Sequence, residues 1–312
     1  MQFSHVEQAL QADLLWAVSS PDLIQCGKQS HSEGLSSIAD APIMGELMQW
    51  LKNNSHQQPL AELISQRQPR RLGIYYEVLW QYILENFPGV RLVARNLPVM
   101  DNNRTLGELD FIYYCQQRQR FVHLETAVKF YLGVTHSITA DLTEQPQLSW
   151  SHWLGPGCKD RLDIKLLKMF NQQTQLSQTP QGRDTLIKLG VQEPLREICL
   201  KGYLFYPLSQ PFQAPLCSHA NHARGYWLKV SNMHLLEGYS DHWQIFKKEQ
   251  WLSLLQLQNN QHPLTLDDLK RLLTEQLTIK PFPVMVANIQ PAIEGPHEIT
   301  RFFITPPNWP TG

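Results

Sequence analysis

The stretch GELDFIYYCQQRQRFVHLETAVKFYL, residues 107–132, decides the fold. Two runs rich in β-branched and aromatic residues flank QQRQ, residues 116–119, whose polarity suits a turn. The pattern predicts a hairpin. Along the second run, alternation puts Phe121, His123, Glu125, Ala127, Lys129 and Tyr131 on one face. Val122, Leu124, Thr126, Val128 and Phe130 take the other, which reads as the core face. On the first run Leu109, Phe111 and Tyr113 share a face, with Glu108 and Asp110 opposite. Pairing through the turn therefore lets Asp110 and Glu125 lie on the same side of the sheet. Two carboxylates converging there repel unless a cation sits between them. Oxygen ligands of this kind suit Mg²⁺ or Mn²⁺. A nearby lysine can orient a water for attack on phosphorus while the metal stabilises the developing charge.

Working outward, residues 70–90 (RRLGIYYEVLWQYILENFPGV) carry Leu72, Tyr76, Leu79, Trp80, Ile83, Leu84 and Phe87 as a wide apolar helix face, closed by Pro88-Gly89. Glu77 sits at the edge of that face, either reaching solvent or leaning inward, where an acid needs a partner or a metal. VRLVARNLPV, residues 90–99, reads as a strand. Residues 133–158 form a long connection ending in Gly155-Pro156-Gly157. DRLDIKLLKMFNQQ follows as a helix with Leu162, Leu166, Met169 and Phe170 inward, then EICLKGYLFYPL as a strand. The order from residue 71 is helix, three strands, helix, strand.

The chain beyond this core reads more loosely. HVEQALQADLLWAV and IMGELMQWL predict helices on either side of a polar loop at residues 25–37, making a helical arm over 1–66. After residue 208, RGYWLKV predicts a strand, KEQWLSLLQL a helix, and TLDDLKRLLTEQL a helix capped by Thr265. PVMVANI and EITRFFITP predict two late strands. The expected architecture is α/β: a mixed sheet with an N-terminal helical arm at 1–66, a core at 67–207 and a C-terminal α/β extension at 208–312.

Composition bounds the function. The chain has 312 residues, 42% hydrophobic and 18% charged, with net charge -1. That is ordinary globular chemistry and excludes a globally basic, DNA-coating protein. Charge is uneven: residues 1–66 hold 2 Lys/Arg against 7 Asp/Glu, whereas 67–130 hold 9 against 6. The excess of positive charge around the carboxylates reads either as chance variation between segments or as a site that attracts an anion. No apolar run is long enough for a membrane helix, and the first residues lack the basic region of a signal peptide. The five cysteines are scattered without C-x-x-C, so a reducing, cytoplasmic setting is expected.

The order helix-Glu, strand-Asp, turn, strand-Glu-plus-Lys, helix, strand resembles the core of the PD-(D/E)XK nuclease-like superfamily over residues 71–207. The strings RLGIYYEVLW, GELDF, HLETAVKFYL and GPGCKDRLDIKL look like an uncharacterised bacterial domain-of-unknown-function family related to it. The resemblance implies an αβββαβ restriction-endonuclease-like core and metal-dependent hydrolysis of DNA or RNA phosphodiesters, with one or two Mg²⁺ or Mn²⁺ ions. It implies Asp110 and Glu125 as metal ligands, Lys129 as the motif lysine and Glu77 as the helix acid; the Thr126 carbonyl is a further candidate ligand. The chain departs from the motif in spacing. The superfamily places acid and lysine two residues apart; Glu125 and Lys129 are four apart, about 13 Å along a regular strand. A rival expectation follows: a non-cutting module that binds nucleic acid or a protein.

Secondary candidates complete the reading. Arg161, Lys165 and Lys168 form one helical stripe, either a phosphate-backbone contact or a solvated face. Asp160 and Asp163 fit first-turn acids. Arg67, Arg70 and Arg71 precede the Glu77 helix. Cys217, His219 and His222 have zinc-like spacing without an evident fourth ligand. Trp150 and Trp153, with His152, offer base stacking or core packing.

Overall fold

A computed structural model of the chain describes residues 3–25, 34–135, 150–254, 262–290 and 297–310. It divides into two compact units. One comprises Met1–Val128, Lys165–Lys201 and His219–Asn221; the other comprises Lys129–Ile164, Gly202–Ser218 and His222–Gly312.

The first unit begins with helix α1 (Phe3–Ser19), short strand β1 (Leu35–Ser37), and helices α2 (Met44–Asn53) and α3 (Gln57–Arg67). The arm expected to be helical thus also contributes a strand. Helix α4 (Leu72–Asn86) follows and stops where Phe87 turns extended ahead of Pro88. Its second half is buried on nearly all sides, from Tyr76 to Leu84, because α1, α3 and the sheet all pack against it. Strands β2 (Val90–Asp101), β3 (Arg104–Cys115) and β4 (Arg120–Gly133) make an antiparallel meander. The predicted hairpin is present, with Phe111 opposite Leu124 and Cys115 opposite Arg120. Its polar turn is more than a surface feature. Arg118 reaches back to Glu197, which is buried, and to the Tyr113 hydroxyl at 3.1 Å.

Helix α5 (Leu162–Lys168) runs into a π-turn at Met169–Gln173, and α6 (Pro180–Ile187) starts at a Thr179 cap. Leu162, Leu166, Met169 and Phe170 are buried as their spacing predicts. Strand β6 (Leu195–Pro207) lies next to β4 and pairs in parallel with β1. From Val122 to Val128 every β4 side chain is buried, so both faces of this central strand are covered, not one.

The second unit holds β5 (Trp153–Leu154), which pairs with the end of β4, and β7 (Ala223–Lys229), parallel to β6. It continues through β8 (Trp243–Ile245), α7 (Leu266–Ile279), β9 (Val284–Gln290) and β10 (His297–Thr305). β10 is parallel to β7 and antiparallel to β9, so the sheet is mixed. Leu269, Leu273 and Leu277 of α7 pack on Val286, Phe302 and Trp243. Thr265 caps α7 as predicted. The described part of KEQWLSLLQL differs from expectation. It is a single 3₁₀ turn at Lys248–Gln250 followed by bends, and its last residues lie outside the described ones, as do 26–33 and 136–149 of the two predicted loops. Trp251 and Leu252 are buried there, and Arg301 holds the Trp251 and Leu252 carbonyls, so tertiary contacts override the helical spacing. Among the described residues no helix is long and apolar enough to cross a membrane.

Candidate functional site

The β3–β4 ladder ends at Phe111 and Leu124. One residue further, side chains replace the backbone pairing. The Asp110 amide donates to Glu125 Oε1 at 3.3 Å, and the Thr126 amide donates to Asp110 Oδ2 at 2.9 Å. The two acids face each other across the hairpin, on the side that alternation assigned them. The neighbouring strand yields at the same level. Arg95 pairs with Phe111 and Leu97 with Leu109, which puts Asn96 opposite Asp110, and Asn96 has φ 45. A left-handed residue inside a strand interrupts the regular ladder, and asparagine tolerates that conformation better than most residues.

Glu125 is fully buried, and its carboxylate is held at both oxygens. His123 Nε2 lies 2.9 Å from Oε1, and the other ring nitrogen is 3.0 Å from Ser177 Oγ. Gln173 Nε2 donates to Oε2 at 2.8 Å, and Lys165 Nζ donates to Gln173 Oε1 at 3.0 Å. Lys165 thus addresses Glu125 through one intervening amide. The segment after α5 closes over this face of β4 by supplying Gln173 and Ser177.

Electrostatics mark Asp110 and Glu77. Burial pushes the Asp110 carboxyl well above the usual aspartate range, and the charges of Glu125 and Glu77 add to the rise. The Thr126 amide and the Lys165 ammonium pull the other way without restoring it. Glu77 is also raised, first by burial, with Glu125 and Glu108 adding and Arg95 and Lys165 opposing. The acid from α4 therefore shares the electrostatic environment of the hairpin acids.

Among the described residues no three His, Cys, Asp or Glu side chains stand as a closed metal-holding set. That applies equally to Cys217, His219 and His222; His222 instead bonds the Tyr206 hydroxyl at 2.8 Å. The donor chemistry at Asp110 and Glu125 nevertheless suits a hard divalent cation: every donor is a carboxylate oxygen, and a cation would favour the ionised Asp110 that burial and the neighbouring acids disfavour.

Lys129 belongs to the second unit and is committed there. Its ammonium meets Asp160 at 2.5 Å, and Asp160 also accepts from the Tyr131 hydroxyl at 3.3 Å. Gly202 of β6, with φ 139, lies so close to the Lys129 carbonyl that a Cβ would stand 1.6 Å from that oxygen. Of the basic stripe, Arg161 forms a two-bond pair with Asp163 at 2.7 and 2.6 Å, and Lys168 is exposed. Asp160 and Asp163 thus pair with Lys129 and Arg161. Trp153 is fully buried between Tyr206 and Phe212, Trp150 bonds the Leu216 carbonyl at 2.7 Å, and His152 bonds the Val134 carbonyl.

Gln173, Ser177, Asn96 and Arg95 did not stand out in the sequence. None carries a motif, and only folding brings them to the acids. His123 was visible, because alternation sets it two residues from Glu125 on the same face. No curated protein and no solved structure matches the chain. A family model described as a domain of unknown function (DUF1853) matches residues 12–305, and the chain belongs to that family.

Proposed function

We propose that this chain binds a divalent cation, Mg²⁺ or Mn²⁺, at Asp110 and Glu125 and hydrolyses phosphodiester bonds of DNA or RNA. One observation carries the reading. A half-buried aspartate at the end of a hairpin ladder faces a fully buried glutamate, and the charges of that Glu125 and of Glu77, from separate elements, oppose its ionisation. Such opposition is costly in a purely structural role and is relieved by a cation. When bound, the ion supplies charge for the phosphoryl oxygens and eases deprotonation of water.

The chain's own residues then divide the work. Asp110 and Glu125 hold the ion, and Glu77 completes the acidic cluster. His123 and Gln173 fix the Glu125 carboxylate in one orientation. Two lysines compete for the basic role. Lys129 pairs with Asp160, whereas Lys165 bonds Gln173 and acts electrostatically on both Asp110 and Glu77. We assign the role to Lys165: its ammonium steadies the charge that develops on the phosphoryl group. Incubating the purified chain with single- and double-stranded DNA and RNA in Mg²⁺ or Mn²⁺ tests this. Cleavage that vanishes in Asp110→Ala and Glu125→Ala supports it; cleavage unchanged in both rejects it.

The ion pair of Lys129 favours a second reading, a non-cutting module that binds nucleic acid. No cleavage with any divalent metal, together with salt-sensitive binding, selects that one.

A further inference from the structure

Arg95 projects from β2 one position before Asn96, the residue opposite Asp110. Its guanidinium is half-buried and under-used. One donor, Nη1, reaches Gln81 Oε1, whose amide in turn bonds Glu85 at 2.7 Å. The buried Nε–H meets no acceptor. Among the described residues no carboxylate lies within ion-pair distance of Arg95, although Glu77 and Glu85 are near enough to act on it. The Arg67 charge, at the end of α3, also acts on it. A guanidinium has five donors in a planar fork, and leaving them unmade in a partly buried place is unfavourable. An anion with two oxygens in one plane satisfies that fork.

We propose that Arg95 is a phosphate-binding residue: its fork receives a phosphodiester of a nucleic-acid strand at the rim of the Glu77–Asp110–Glu125 cluster. The inference rests on the reading that the chain handles nucleic acid, and it adds the group that holds the strand. A phosphate there offsets the repulsion that the Arg67 charge exerts on Arg95. The adjacent acids keep the strand from settling deeper unless a cation accompanies it.

The test reads binding with no cleavage, so its outcome stands apart from that of hydrolysis. A fluorescent 12-residue oligothymidylate is titrated with the full chain in EDTA, at several salt concentrations. Wild type is compared with Arg95→Ala, Arg95→Gln, Arg95→Lys and the surface control Arg183→Ala. Expected is about tenfold weaker binding for Arg95→Ala and Arg95→Gln, and a slope of log K against log salt shallower by about one phosphate contact. Arg95→Lys recovers the salt slope but only part of the affinity, since a point charge replaces the fork. Arg183→Ala binds as wild type. A methylphosphonate oligothymidylate, which keeps the bases and removes the charge, binds no better to wild type than to Arg95→Ala. Should Arg95→Ala lose its fold, the Lys and Gln variants decide. Wild-type affinity and slope in a folded Arg95→Gln overturn the proposal. So does a wild type that fails to bind the oligonucleotide at low salt, or one that releases it to millimolar inorganic phosphate with Arg95→Gln responding equally. Failure of hydrolysis, with these binding results intact, overturns the nuclease reading and leaves the phosphate site standing.

Discussion

Asp110 and Glu125 trade places with the backbone: the amide of one is bonded by the carboxylate of the other, while the Asp110 carboxylate takes the amide of Thr126. Hydrogen bonds that would zip a hairpin are thereby spent on fixing two acids face to face. The arrangement holds two acids together, one fully buried and one half-buried, and the fold bears the cost.

That cost predicts a pH signature. The folded Asp110 carboxyl is raised above its ordinary value, so folding penalises its ionised form. Below the ordinary aspartate range both folded and unfolded chains carry the proton, and the penalty is absent. It grows as pH rises through the interval up to the folded value, at about 1.4 kcal/mol per pH unit of that interval. Asp110→Asn keeps an oxygen for the Thr126 amide and removes the charge. Urea melts in EDTA are therefore expected to show the variant more stable than wild type at pH 8 and equal to it near pH 3. A variant less stable than wild type at pH 8 contradicts the charge account.

Asn96 is expected to be replaceable only by a residue that accepts a left-handed backbone. Asn96→Gly leaves stability within about 0.5 kcal/mol, whereas Asn96→Val costs about 1–3 kcal/mol, because a branched Cβ collides with its own chain at φ 45. Chemical denaturation of the two variants side by side separates this from a loss of side-chain contacts, which both share.

Arg118 tests the buried charge behind the hairpin turn. Glu197 is 1% exposed and relies on Arg118 and the Tyr113 hydroxyl. Arg118→Ala strands that carboxylate and is expected to cost about 3–5 kcal/mol, with most of it regained when Glu197→Gln is added. A double variant as unstable as the single one excludes the ion pair as the cause.

The two lysines are separable by activity. Lys165→Ala is expected to lower the cleavage rate at least about 100-fold with little change in melting temperature, consistent with loss of a group that stabilises transition-state charge. Lys129→Ala is expected to retain most activity and to lose stability through Asp160 and Tyr131. Assays of both variants at one metal concentration decide, and the reverse pattern returns the role to Lys129.

The hairpin was legible because strand alternation is strict: the positions of Asp110, His123 and Glu125 follow from counting by twos across one polar turn. Helix α4 was legible for a similar reason, although burial all round it exceeds what one apolar face announces. Three things were not legible. Spacing in α5 marked Lys165 as one of three basic residues, yet only the folded structure shows that Arg161 turns to Asp163 while Lys165 turns to Gln173. Strand β1 is three residues long, too short for periodicity to announce, and it exists through its pairing with β6. The order of motif residues pointed to Lys129, and the sequence did not show that Asp160, 31 residues away, pairs with it.

Calorimetric titration of Mn²⁺ into the metal-free chain and into Asp110→Asn tests the central claim most directly. The account predicts a saturable site in the wild type and its loss, or at least about tenfold weakening, in the variant. Equal binding by the two proteins, or none by the wild type, contradicts it.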